Sequence, residues 1–190
     1  MEEVIELSAI TKEAIEWQRR AEEAGVNLRS CYQCGKCTAG CPAAFAMDYG
    51  PRQIARFLQL GLWQQALSAR SIWLCAACET CSTRCPRQVN PARMMDWLRV
   101  EAARRGMVKE PHVKLFNDSF LQLVERYGRV HELELIVRFN VRSGQFFKDA
   151  RMGPELFKRR KLHFLPRRVK GLPVLRRIFV HSRKAGGEGD

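Results

Sequence analysis

No run of about eighteen apolar residues, the length a membrane-spanning helix needs, occurs in the 190 residues of this chain. Nothing in it is therefore expected to cross a bilayer. The opening MEEVIELSAITKEAIEWQRR is charged where a secretory leader would carry its apolar centre. It reads as an amphipathic helix, and no secretory signal is expected. G-x-G-x-x-G, G-x-x-x-x-G-K-[ST] and H-E-x-x-H are all missing, which removes the familiar means of cradling a phosphate or holding a hydrolytic zinc. His112, His131, His163 and His181 are scattered without ligand spacing. No two cysteines are adjacent. The chemistry must come from cysteine spacing.

All eight cysteines fall in two short runs, CYQCGKCTAGCP (31–42) and CAACETCSTRCP (75–86). Cys31, Cys34, Cys37 and Cys41 answer to Cys75, Cys78, Cys81 and Cys85, and Pro42 answers to Pro86. Without a secretory signal, the expected location is the reducing cytoplasm, where metal ligation is favoured over disulfides. Zinc is the rival metal, but structural zinc sites use four ligands, usually as two spaced pairs. Two complete C-x2-C-x2-C-x3-C-P runs exceed that need in a particular way. Three thiolates at this spacing wrap three corners of a cubane, and the fourth cysteine, followed by proline, ligates the other cluster in two-cluster ferredoxins. The expected assignment is Cys31, Cys34, Cys37 and Cys85 on one [4Fe–4S] cluster, and Cys75, Cys78, Cys81 and Cys41 on the other.

The rest of the chain reads as all-α. Hydrophobic residues make up 46%, enough for a core. Thr11 is expected to cap a helix ending before Gly25. Gly50-Pro51 and Asn90-Pro91 open two more, proline being favoured at the first helical position. Leu62 to Ala69 reads as a short helix, and residues 112–127 as a longer one. Leu133 to Val141 fits either a strand or a helix, and helix is the reading adopted. Gly153-Pro154 and Leu172-Pro173 look like further helix starts, and the tail KAGGEGD reads as disordered. Trp63, Trp73 and Trp97 are expected in the core or shielding the clusters. Met94 and Met95 read as packing or interface residues.

Charge is distributed unevenly. Residues 1–110 hold 15 Lys+Arg against 12 Asp+Glu, whereas residues 111–190 hold 18 against 8. The expected organisation is an N-terminal helical segment (1–27), a cluster domain (28–110), a basic helical extension that docks onto partner subunits (111–183), and the tail (184–190). A docking surface for an acidic partner is preferred over nucleic-acid binding, since no recognition motif accompanies the charge. A basic nucleic-acid-binding protein with structural clusters is the alternative function. Within the loops, Lys36 and Arg84 against Glu79 predict a higher potential for the Cys31 cluster.

The two runs, together with DYGPRQIARFLQLGL and SIWLCAACETCSTRCP, resemble the C subunit of heterodisulfide reductase over residues 28–110. LHFLPRRVKGLPVLRRIF (162–179) is similar to that family's basic C-terminal segment. The resemblance implies an α-helical ferredoxin-type fold with two [4Fe–4S] clusters and a basic helical C-terminal extension. It implies a non-catalytic relay working between two larger partners. One is the A subunit, which contains flavin and iron–sulfur groups; the other is the B subunit, which is cysteine-rich and catalytic. The chain departs from the iron–sulfur subunits of succinate dehydrogenase and fumarate reductase, which add a [2Fe–2S] domain.

Overall fold

Proline and glycine punctuate this sequence into helices. The computed structural model describes residues 7–145 and 165–186, with side chains over 14–145 and 165–184. Among the described residues the regular structure is helical, without strands: α1 (Leu7–Glu23), α2 (Lys36–Ala39), α3 (Pro51–Gln59), α4 (Trp63–Ser68), α5 (Ser71–Leu74), α6 (Thr80–Thr83), α7 (Pro91–Arg104), α8 (Pro111–Tyr127), α9 (Glu132–Ser143) and α10 (Leu172–Gly186). No described helix is long and apolar enough to cross a membrane. The expected helix start at Gly153-Pro154 lies outside the described residues, as do His163 and the last four residues. Thr11 does not cap α1, which already runs from Leu7.

The chain divides into two units, Met1–Glu110 and Pro111–Asp190. In the first, one core draws Trp17 and Ala21 from α1, Ile54 and Leu58 from α3, Leu67 from α4, Ile72 and Trp73 from α5, and Met94, Met95 and Leu98 from α7. Met94 and Met95 are fully buried, so both are packing residues. Trp17 stacks on Trp63 at 5.0 Å and meets Trp97 edge-on at 5.6 Å. Arg20 and Arg105 lie over its ring, and both pair with the buried Glu101 at 2.9 and 2.8 Å. Burial pushes the Glu101 carboxyl up, but the hydrogen bonds and charges of Arg105 and Arg20 outweigh it and hold the group below the ordinary carboxylate value. This network ties the N-terminal helix α1 to α7.

In the second unit, α8 and α9 close on Leu123, Tyr127 and Leu135, with Val130 packed against them. That core resolves the strand-or-helix ambiguity of residues 133–141. Leu135 turns inward while its neighbours Ile136 and Val137 face outward, a spacing that a helix produces here.

Candidate metal centres

The two cysteine runs fold alike. On either side of Cys34 the backbone enters the left-handed region, at Gln33 (φ 63°) and Gly35 (φ 81°); Ala77 (φ 49°) and Glu79 (φ 58°) do the same around Cys78. Gly35 takes this conformation freely, whereas Glu79 takes it at a cost of about 1–2 kcal/mol. Each loop then forms a one-turn helix, α2 or α6, and these two pack against each other.

A hydroxyl after the third cysteine of each run caps the next long helix. Thr38 Oγ1 accepts from the Arg52 N–H at 3.0 Å, and Ser82 Oγ accepts from the Ala92 N–H at 3.2 Å. Both donors stand one residue past the helix-opening proline, Pro51 or Pro91. The first junction needs glycine at position 50, because a Cβ there would lie 2.5 Å from Thr38 Cγ2. Asn90 occupies the matching place before α7, and its side chain accepts from the Arg93 N–H at 3.3 Å.

The third correspondence lies deeper. Gln59 Nε2 donates to the carbonyls of Leu28 (3.1 Å) and Cys31 (2.8 Å). Arg99 Nε and Nη2 donate to those of Ile72 and Cys75, both at 2.9 Å. Each donor stands eight residues beyond its helix-opening proline, and each pair of acceptors is the first cysteine of a run and the residue three before it. One position is therefore neutral and its counterpart cationic.

Two cavities result. One is lined by Cys31, Cys34, Cys37 and Cys85, the other by Cys41, Cys75, Cys78 and Cys81. Each has a volume of about 370 Å³ including its open mouth. Among the described residues, no three His, Cys, Asp or Glu side chains converge tightly enough to hold a single metal ion. Four thiols spread around each cavity suit a bulkier guest with a ligand at each corner, and the all-sulfur donor set suits iron–sulfur chemistry.

The thiols differ by position in the loop. The Lys36 N–H, and then the Tyr32 hydroxyl, hold Cys34 below the ordinary thiol value. The Thr80 hydroxyl and N–H do the same for Cys78, whose Sγ lies 3.4 Å from Thr80 Oγ1. Burial pushes up Cys37 against the opposing hydrogen bonds of Thr38. It also pushes up Cys75 against the Ala77 N–H and the Arg99 charge. Cys81 is pushed up to about 11, chiefly by burial. Loading the deep positions must therefore release protons.

The surroundings differ too. Lys36, Arg52 and Arg87 line the Cys31 cavity, while no charged side chain lines the Cys41 cavity, which has Met47, Ala92 and Met95 instead. Arg84, expected to act on the Cys31 site, packs over Gly40, next to Cys41. Sequence reasoning missed Thr38, Ser82, Gln59, Arg99, Arg52 and Trp17. Aligning the two runs outward from the cysteines to Pro51 and Pro91 is the signal that finds the first four.

Residues 27–89 match the family described as a 4Fe-4S dicluster domain, and the chain's cofactors are two [4Fe–4S] clusters. The chain is 31% identical over 133 residues to a protein of Archaeoglobus profundus named as like the C subunit of heterodisulfide reductase, covering 66% of this chain and 68% of the relative. It is 38% identical over 91 residues to the iron-sulfur C subunit of the CoB–CoM heterodisulfide reductase of Methanopyrus kandleri, covering 48% and 47%. With the C subunit of the ferredoxin:CoB-CoM heterodisulfide reductase of Methanosarcina acetivorans it shares 40% identity over 103 residues, covering 54% and 39%. The chain spans about half the length of most of the curated relatives it matches. The cysteine framework and these similarities together show that the chain belongs to the family of heterodisulfide reductase C subunits.

Proposed function

We propose that this chain is the electron-relay subunit of a cytoplasmic heterodisulfide-reductase-like complex. It passes electrons between the A subunit, which contains flavin and iron–sulfur groups, and the B subunit, which is cysteine-rich and catalytic. The observation that carries the reading is the pair of four-thiol cavities, each taking its fourth cysteine from the other run. Cys31, Cys34, Cys37 and Cys85 would hold one [4Fe–4S] cluster, and Cys75, Cys78, Cys81 and Cys41 the other. Each cluster, when bound, supplies a one-electron carrier. The chain's own part is to fix the thiols and aim N–H groups at them: those of Lys36 and Thr38 in the first run, and of Ala77, Thr80 and Ser82 in the second. Such hydrogen bonds stabilise the extra negative charge of a reduced site.

Docking onto the larger subunits is assigned to the basic second unit. Support comes from its charge and from apolar side chains left exposed on α8 to α10, among them Leu121, Val137, Val141 and Ile178. Cationic and apolar surface together is what a lasting interface with an acidic partner needs. Anaerobic purification tests the reading. About eight irons and eight sulfides per chain, with flavin-containing and cysteine-rich subunits co-purifying, is the expected result. Zinc without sulfide, or tight salt-sensitive binding to arbitrary DNA with no co-purifying subunits, would replace it.

A further inference from the structure

The relay reading leaves open where electrons enter or leave the chain, and the surface around the two cavities is informative on that point. Beside the Cys31 cavity runs an open cleft lined by Gln33, Arg52, Gln53 and Arg56. It shares Gln33 and Arg52 with the cavity itself. The two linings therefore bring Lys36, Arg52, Arg56 and Arg87 to one continuous rim, with no carboxylate among the lining residues. All four side chains are exposed. Among the described residues none of the four is held in an ion pair. Most other arginines of the same unit are neutralised, among them Arg19 by Glu16, Arg29 by Glu22, Arg70 by Glu110, and Arg20 and Arg105 by Glu101; among the described residues Arg84 and Arg93 are not.

Among the residues lining the same cavity, Cys34 is exposed, and Tyr32 beside it is 59% exposed. This is the place in the first cavity where the thiol framework comes nearest to water. The Cys41 cavity offers a different mouth. No charged side chain lines it, the exposed Cys78 is followed by Glu79, and the neighbouring Phe45 is 92% exposed. A negatively charged visitor meets four such cations at the first mouth, against Arg84 beside Gly40 near the second.

We propose that the rim of Lys36, Arg52, Arg56 and Arg87 is an electron-exchange port for a small, acidic redox protein that docks transiently over Cys34. The inference rests on the relay reading. Unpaired cations around a short path to the redox centre raise the encounter rate and orient the visitor, and they add little lasting affinity. That is what repeated docking and release requires. The step is a single-electron exchange: for a reducing visitor, the visitor is oxidised by one electron and the chain is reduced by one. No bond is made or broken, and no group on the rim need gain or lose a proton.

The test is anaerobic stopped-flow reduction of the full, cluster-loaded chain by two probes. One is a pre-reduced acidic plant-type [2Fe–2S] ferredoxin, whose low potential makes it a suitable donor. The other is reduced methyl viologen, a small cation. The port predicts that the second-order rate with ferredoxin falls about tenfold as salt rises from about 20 to about 300 mM, while the rate with viologen does not fall. Arg56→Glu, which lies on the cleft and outside the cavity lining, should lower the ferredoxin rate about fivefold at low salt and leave the viologen rate unchanged or faster. Midpoints followed by electron paramagnetic resonance should be the same for the variant and the parent, which separates docking from driving force. Arg167→Glu/Arg168→Glu, in the basic second unit, should leave the ferredoxin rate within about twofold. The port is overturned by a salt-independent ferredoxin rate, by no reduction by ferredoxin where viologen succeeds, by a loss shared equally by both probes, or by a loss carried by the second-unit pair. Reduction by neither probe would instead overturn the relay reading beneath it.

Discussion

The Cys31 half and the Cys75 half of the first unit share a scaffold and differ in how they treat charge. Both flank the second cysteine with left-handed residues, cap the following helix with a hydroxyl, and hold the first cysteine's carbonyl from the same register of that helix. Around the first cavity the positive charge is at the rim and in water. In the second half, apart from Arg84 beside Gly40, it is drawn inward on Arg99, whose side chain is 20% exposed and bound to the carbonyls of Ile72 and Cys75. Exposed charge is screened and acts on approaching partners, whereas a partly buried charge acts mainly on the site it touches. The scaffold repeats, and the electrostatics do not.

The hardest test of this pairing is Cys41→Ser. It should remove about half of the iron and sulfide, and the lost signal should be that of the site with Cys75, Cys78 and Cys81. Loss confined to the site with Cys31, Cys34 and Cys37 would dissolve the correspondence. Gly50→Ala comes next, since its Cβ has no room beside Thr38. Thermal unfolding of the loaded protein should show about 1–3 kcal/mol of destabilisation. Thr38→Ala and Ser82→Ala should each cost about 1 kcal/mol, and equal losses would sharpen the comparison.

Potentials probe the difference directly. Arg99→Gln should lower the midpoint of the Cys75 site alone by about 60 mV, equivalent to roughly 1.4 kcal/mol. Gln59→Arg should raise that of the Cys31 site. Lys36→Glu, on the exposed rim, should lower the Cys31 site by a smaller amount. Redox titration followed by electron paramagnetic resonance reads all three, and equal movement of both sites in any of them would refute the local assignment. The finest test is chemical. In cluster-free protein that keeps its helical circular dichroism, alkylation mapped by mass spectrometry should reach Cys34 and Cys78 first. Their lowered pKa puts the rise in reactivity with pH below the ordinary thiol midpoint. Cys81, pushed up to about 11 and buried, should remain thiol and react last at neutral pH.

Much of this fold is legible in the sequence because its signals are local. Cysteine spacing, the Pro51 and Pro91 helix starts, and the glycines after α1 and α7 each act within a few residues. Thr11 misleads for the same reason: a competent cap residue sits inside a helix whose pattern continues ahead of it. Residues 133–141 satisfy both periodicities, and only the partners of Leu135 decide between them. Gln59 and Arg99 are not legible as site residues. What they bind are backbone carbonyls 24 to 31 positions away, and an amide or guanidinium on a helix has no sequence mark of that use. The Trp17 cluster is hidden likewise, because its three rings come from α1, α4 and α7.

The matched registers of Gln59 and Arg99 also bear on direction. Two identical halves joined as separate chains would present two indistinguishable centres, and an electron between them would have no reason to prefer one. Every substitution in such a pair would appear twice and cancel. Placing both halves in one polypeptide lets a single position differ from its counterpart. A neutral amide at one and a guanidinium at the other is then enough to turn a symmetric wire into one with a slope.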